Sequence, residues 1–113
     1  MSIEDNIEAV IDWASDKGIY FESTSFLQAE KTGEEYLELV SALYRLYTLD
    51  DRESYLEDEI RIEVKDAIGD IIVTLINVAY LEGLTLEECL KHSLGVIQDR
   101  KGEMIDGKFV KEE

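Results

Sequence analysis

The sequence predicts an all-α protein: a four-helix bundle-like domain ending in a short C-terminal tail. Three observations predict it. No proline occurs in 113 residues, so no pyrrolidine ring breaks a helix. Four segments carry apolar residues at spacings of three and four. And the stretch Glu63–Leu81, EVKDAIGDIIVTLINVAYL, is almost wholly apolar from Ala67 onward, with its polar members in helical phase.

The first helix is expected from about Ser2 to Lys17. Ser2 is a suitable N-cap, Ile3, Ile7, Val10, Ile11 and Ala14 form an apolar stripe, and Gly18 suits the position after the helix. A link follows from Gly18 to about Ser23. Ser23 or Thr24 then caps a second helix, Ser25 to about Tyr47. Its expected core face is Tyr36, Leu37, Val40, Leu43, Tyr44 and Tyr47, flanked by a second row of Gln28, Lys31, Glu35 and Glu38. Gly33, inside that helix, costs about 1 kcal/mol against alanine and marks a bend or a close approach. Thr48–Asp58 is charged and irregular and reads as a mobile loop.

The third helix is expected from about Glu59 to Leu81. A strand is the competing reading, since IIVTLINV is rich in β-branched residues. Against it, no glycine, proline or Asn-Gly turn falls between Asp70 and Glu82, which is long for a strand. Thr85 and Glu88 form a capping box that opens a fourth helix. That helix carries Leu86, Cys89, Leu90, Ser93 and Ile97 on one side and ends by Gly102. In the tail, Asp106-Gly107 between apolar residues signals a two-residue hairpin.

Composition narrows the function classes. Twenty-seven acidic against 11 basic residues leave a net charge of −16, which repels nucleic acid polymers and anionic membranes. Yet 45% of residues are apolar, too many for a disordered acidic tail. The length suits a single domain, residues 1–113. One cysteine permits no internal disulfide and suits a reducing, cytoplasmic setting. Acidic residues break up Ile3–Trp13, so it does not read as a signal peptide, and no apolar run is long enough to span a membrane.

Within the third helix, Asp70, Thr74 and Asn77 lie on one face, and Asp66 and Glu63 continue the row. A helix buried nearly all round with a carboxylate in its polar stripe needs a cation, because an unpaired buried carboxylate is strongly disfavoured. The second helix supplies partners: in Glu34-Glu35-Tyr36-Leu37-Glu38, Glu35 and Glu38 stand one turn apart. If the two helices face each other, Glu35 and Glu38 meet Asp66 and Asp70. Oxygen ligands without histidine or cysteine imply Mg²⁺ or Mn²⁺ rather than Zn²⁺. Lys31, Arg100 and Lys101 are basic residues, and Trp13, Phe21 and Phe26 aromatics, available to a ligand. His92 and Cys89 have no catalytic partner, and neither a phosphate-binding glycine loop nor a calcium EF-hand pattern is present.

These residues carry a resemblance. Gln28, Lys31, Glu34-Glu35-x-x-Glu38, Asp66-Ala67-Ile68-Gly69-Asp70 before a long apolar run, Asn77, and Arg100-Lys101-Gly102 with Gly107-Lys108-Phe109-Val110-Lys111-Glu112 resemble the MazG-like nucleotide pyrophosphohydrolases. Within the all-α NTP pyrophosphohydrolases, the pattern is most similar to small members from phages and Gram-positive bacteria. It covers roughly Gln28 to Lys101. The resemblance implies Mg²⁺-dependent hydrolysis of a nucleoside triphosphate to the monophosphate and pyrophosphate, in nucleotide-pool control. It implies Glu35 and Glu38 as metal ligands and Glu34 as the residue that orients or deprotonates the attacking water. Asp70 corresponds to the aspartate of the family's ExxD, and Asn77 to the asparagine seven residues later.

One position departs from the pattern. The family's glutamate on this helix falls on Ala67, which binds no metal. Two acid pairs are open, Asp66 with Asp70 or Glu63 with Asp66; the first is preferred because Asp70 is the one embedded in apolar surroundings. Four short helices hardly cover every side of the third, so a homodimer or homotetramer is expected. The rival reading is a non-enzymatic acidic helical module that binds a protein partner. A further possibility is a cation-binding regulator without catalysis.

Overall fold

In the computed structural model, which describes residues Met1–Glu113, the central event is the pairing of two long helices. They are α3 (Ser25–Tyr47) and α4 (Glu57–Leu81). Before them come α1 (Ile3–Asp16) and a single-turn α2 (Ile19–Glu22); after them come α5 (Leu86–Ile97) and the strands β1 (Gly102–Ile105) and β2 (Lys108–Lys111). The chain is thus mostly helical. It divides into two compact units, Met1–Gly83 and Leu84–Glu113.

Local chemistry explains the boundaries. Ser2 caps α1 with a reciprocal bond to Asp5, and Gly18 takes a φ of +81° just beyond its end. The expected link holds α2, whose Tyr20 turns out to matter. Thr24 caps α3 by accepting from the Leu27 amide. The segment expected to be an irregular loop is instead ordered: Asp50 caps a 3₁₀ helix, Asp51–Leu56, which runs directly into α4. α4 therefore starts at Glu57, two residues ahead of expectation. α3 passes through Gly33 without a break, and no atom would come within 4 Å of a Cβ there.

Hydrogen bonds set the register of the central pair. Gln28 meets Asn77, Thr32 meets Thr74, and Arg45 meets Glu63. One set of numbers rises as the other falls, so α3 and α4 are antiparallel. Small residues occupy part of their seam: Ala42 and Ala67 are both buried there. α1 packs on α4 through its apolar stripe, with Ala14 fully buried.

This register corrects the expected core face of α3. Glu35 and Ala42 are buried and Leu39, Leu43 and Leu46 half-buried, whereas Tyr36, Leu37, Val40, Tyr44 and Tyr47 are exposed. α3 carries two apolar stripes, and α4 docks on the one that holds Ala42 rather than on the tyrosine-rich one. α4 is likewise not buried all round. Ile68, Ile72 and Leu75 remain exposed on one of its faces.

In the second unit, Thr85 and Glu88 form the expected capping box. Leu86 and Cys89 are half-buried, while Leu90, Ile97 and His92 are exposed. The hairpin forms as read from Asp106-Gly107: both take positive φ, 51° and 80°, the type I′ turn that matches strand twist. Its open end pairs Gly102 with Lys111. A Cβ on Gly102 would stand 2.3 Å from the Val110 carbonyl oxygen and 2.9 Å from Lys111 Cα. Gly102→Ala is therefore expected to open the ladder. Exchange of the Glu112 amide, which donates to the Lys101 carbonyl at 2.7 Å, should quicken by about ten-fold or more.

Candidate functional site

Two cavities lie along the α3–α4 seam, and Asp70 lines both. The first, about 560 Å³, has an apolar end at Trp13, Ile19 and Leu27 and a charged end at Lys31, Glu34, Glu35 and Asp70. The second, about 520 Å³, is bounded by Glu38 and Arg45 from α3 and by Glu63, Asp66, Ala67 and Asp70 from α4. The antiparallel register is what brings these acids to one seam. Glu35 and Glu38 are one turn apart on α3, as Asp66 and Asp70 are on α4.

Their surroundings differ. Glu35 is only 8% exposed; its Oε1 lies 3.5 Å from the Lys31 ammonium, and its Oε2 is buried without any hydrogen-bond partner. Lys31 also pairs with the exposed Glu34 at 3.3 Å, and that hydrogen bond, chiefly, holds the ammonium above its ordinary pKa. Glu63 is ion-paired with Arg45, while Glu38, Asp66 and Asp70 have no ion-pair partner. Asp70 is pushed above the ordinary carboxylate range, first by loss of solvent and then by the charges of Glu35 and Asp66, with Lys31 opposing. Contrary to the sequence expectation, Asp70 is exposed. As the side chains stand, no three of these acids form a group able to hold one ion.

A hydrogen-bonded chain forms the back of the first cavity. The Tyr20 hydroxyl donates to Asn77 Oδ1 at 2.8 Å, Asn77 Nδ2 donates to Gln28 Oε1 at 3.2 Å, and Gln28 Nε2 donates to Ser23 Oγ at 3.1 Å. The Thr32 hydroxyl donates to Thr74 Oγ1 at 2.8 Å, and Thr74 in turn to the Ile71 carbonyl. Tyr20 stacks on Tyr80 with ring centroids 4.0 Å apart. Burial, and then Tyr80, raise the Tyr20 pKa, so its hydroxyl stays a donor. Asn77 is 2% exposed with both ends of its amide engaged. It therefore acts first as a strut between α2, α3 and α4. Tyr20→Phe would strand Asn77 Oδ1 in the interior, with an expected loss of about 1–3 kcal/mol, read as a lower denaturant midpoint at unchanged slope.

Most of the residues singled out from sequence meet at this seam: Gln28, Lys31, Glu34, Glu35, Glu38, Asp66, Asp70 and Asn77. Arg100 and Lys101 belong to the second unit, where Lys101 lines a cavity along the hairpin. Of the three aromatics, only Trp13 lines the first cavity; Phe21 is 93% exposed and Phe26 is also on the surface. Ala67 is buried and lines the second cavity beside Asp66 and Asp70, without a group that could bind metal. Sequence reasoning missed Tyr20 and Thr32. The only advance signal for Tyr20 was the apolar triplet Ile19-Tyr20-Phe21 directly after a helix-ending glycine.

Taken alone, this is a helical protein with an acidic seam between two antiparallel helices and an aromatic-lined cavity at one end. Comparison with family models, with curated proteins and with solved structures gave no match. No single helix is long and apolar enough to cross a membrane.

Proposed function

We propose that the chain is a Mg²⁺-dependent nucleoside triphosphate pyrophosphohydrolase of the MazG-like type. The observation that carries the reading is the α3–α4 register, which sets Glu35 and Glu38 across one seam from Asp70 and Asp66. The donor set, all carboxylate oxygens, is of the kind a hard divalent ion takes, and the side chains must close up to hold one. A buried carboxylate oxygen without a partner, Glu35 Oε2, is a group that needs a cation. An aspartate whose charge is opposed by two acidic neighbours is a second. Glu35, Glu38, Asp66 and Asp70 would hold Mg²⁺, with Mn²⁺ as a substitute; Glu63 is less available because Arg45 holds it.

When bound, the ion supplies positive charge that offsets the phosphates and polarises their oxygens. The protein's own groups do the rest. Glu34, exposed at the rim, orients the attacking water and takes its proton. Water cleaves the bridge between the α and β phosphates, leaving a monophosphate and pyrophosphate. Lys31 meets phosphate oxygens, and Trp13 offers the base a face in the same cavity. Gln28 and Asn77 hold the cavity's rear wall.

The exposed rows Ile68, Ile72 and Leu75 on α4 and Tyr36, Val40 and Tyr44 on α3 favour a homodimer or homotetramer. A cytoplasmic setting suits the lone cysteine and a nucleotide substrate. The same exposed apolar rows favour a second reading, an acidic protein-binding module, which predicts no Mg²⁺-dependent turnover. The deciding assay is pyrophosphate release from a panel of NTPs and dNTPs with Mg²⁺. Turnover of at least one of them is expected, and none from any would sink the proposal.

A further inference from the structure

The second unit, Leu84–Glu113, keeps a capped helix and a paired hairpin yet buries none of its own residues. Only Leu86 and Cys89 are even half-buried. A 12-residue helix and a two-stranded hairpin are each marginal in water without cover. The apolar side chains that would supply a core stand outside. Leu90, Leu94 and Ile97 share one face of α5, and Met104, Phe109 and Val110 project from the hairpin, each at least 45% exposed. Such a unit holds its shape against another surface.

The first unit offers one that matches. Its rows Tyr36, Val40 and Tyr44 on α3 and Ile68 and Ile72 on α4 are also exposed, so within one chain neither surface is covered. Charge pairs the two surfaces across copies. Leu84–Glu113 holds five of the 11 basic residues and seven of the 27 acidic ones, a net charge of −2 against −14 for Met1–Gly83. Setting one copy's second unit on another's first opposes −2 to −14, whereas stacking two first units opposes −14 to −14. Shape chemistry agrees: the hairpin cleft, about 420 Å³, is lined by Ile105 and Val110 together with Lys101, Lys111 and two glutamates. That mixture suits a tyrosine, apolar in its ring and polar at its tip. We infer that the second unit of one copy docks on the exposed α3–α4 rows of a second copy, and reciprocally, so that handed-over units hold the dimer together. Two-fold symmetry makes the contact twice.

The inference rests on the homo-oligomer named above and not on the activity, and its test uses no turnover. The probe is the Glu112 amide, which donates to the Lys101 carbonyl beside the open end of the hairpin. Ile72→Asp spoils the receiving rows and leaves the tail intact; Phe109→Asp spoils the tail and leaves the rows intact. In full-length, ¹⁵N-labelled Ile72→Asp, a change outside the second unit, the Glu112 amide should exchange about ten-fold faster than in the wild type, or more. Tyr36→Asp, on the other row, should do the same, which guards against one substitution that merely misfolds the chain. Excess unlabelled Phe109→Asp brings intact rows in a separate chain. Its addition should return the labelled amide to within about three-fold of the wild-type rate. Unchanged protection in both row variants would overturn the inference, because the tail is then held without the rows. Faster exchange that Phe109→Asp does not reverse would overturn it too, because the tail then docks within its own chain or on a different protein. Absence of pyrophosphate release would leave either result standing.

Discussion

Asparagine in place of Asp70 will abolish Mg²⁺-dependent pyrophosphate release and, in the same protein, stabilise the metal-free fold. The loss of activity should reach about two orders of magnitude or more, the scale of removing one group that organises charge at a reacting centre. Glu38→Gln, on the facing helix, should do the same. The stability change follows from the direction of the Asp70 shift. Loss of solvent, Glu35 and Asp66 raise its pKa in the folded state, so the fold binds its proton more tightly than the unfolded chain does. Stability then falls as pH rises from the ordinary carboxylate range through the raised folded value, and at neutral pH the ionised group opposes folding. Asparagine removes that opposition. The wild type and Asp70→Asn should converge in acid, below the unfolded pKa, where both states are protonated. Thermal melts at several pH values check this, and a variant less stable than the wild type at pH 7 would contradict it. Added Mg²⁺ should raise the melting temperature of the wild type and leave Asp70→Asn unmoved, since a ligand stabilises the state it binds.

Aspartate in place of Ile72 will convert the proposed oligomer to monomers. Ile68, Ile72 and Leu75 lie at spacings of four and three, so they share one face of α4, and each is more than 40% exposed. Burying such a row against a second copy gains about 25 cal/mol per Å² of apolar surface. An unpaired carboxylate in the same interface would cost several kcal/mol, more than a modest interface can absorb. Repulsion between two chains of net charge −16 adds to it. Light scattering at micromolar concentration should report a dimer or tetramer for the wild type and a monomer for the variant. A wild type that is already monomeric would remove the oligomer from the proposal. Pyrophosphate release by a monomeric variant would place the whole site within one chain.

Much of this architecture was legible along the chain because its signals are local. Caps at Ser2, Thr24 and Thr85 and left-handed turn residues at Gly18 and Asp106-Gly107 act over three or four residues, and each appears where the sequence puts it. The polar row on α4 was legible for the same reason, since helical phase alone places Asp70, Thr74 and Asn77 together. Order in Asp51–Leu56 was not, because its charged residues look like loop until the Asp50 cap is seen to organise them.

The candidate site divides along the same line. Which acids share a helix face follows from spacing within α3 and α4, and no further information is needed. Which face of α3 meets α4 does not follow, because that helix carries two apolar stripes and the bulkier one suggests itself first. The choice falls to tertiary contacts: Ala42 and Ala67 are buried where the helices meet, and the Gln28–Asn77 and Thr32–Thr74 bonds align the pair. Tyr20, anchored to a residue 57 positions away, belongs to that second category. Contacts between distant segments depend on the shape of both surfaces at once, and neither surface is written in a run of neighbouring residues.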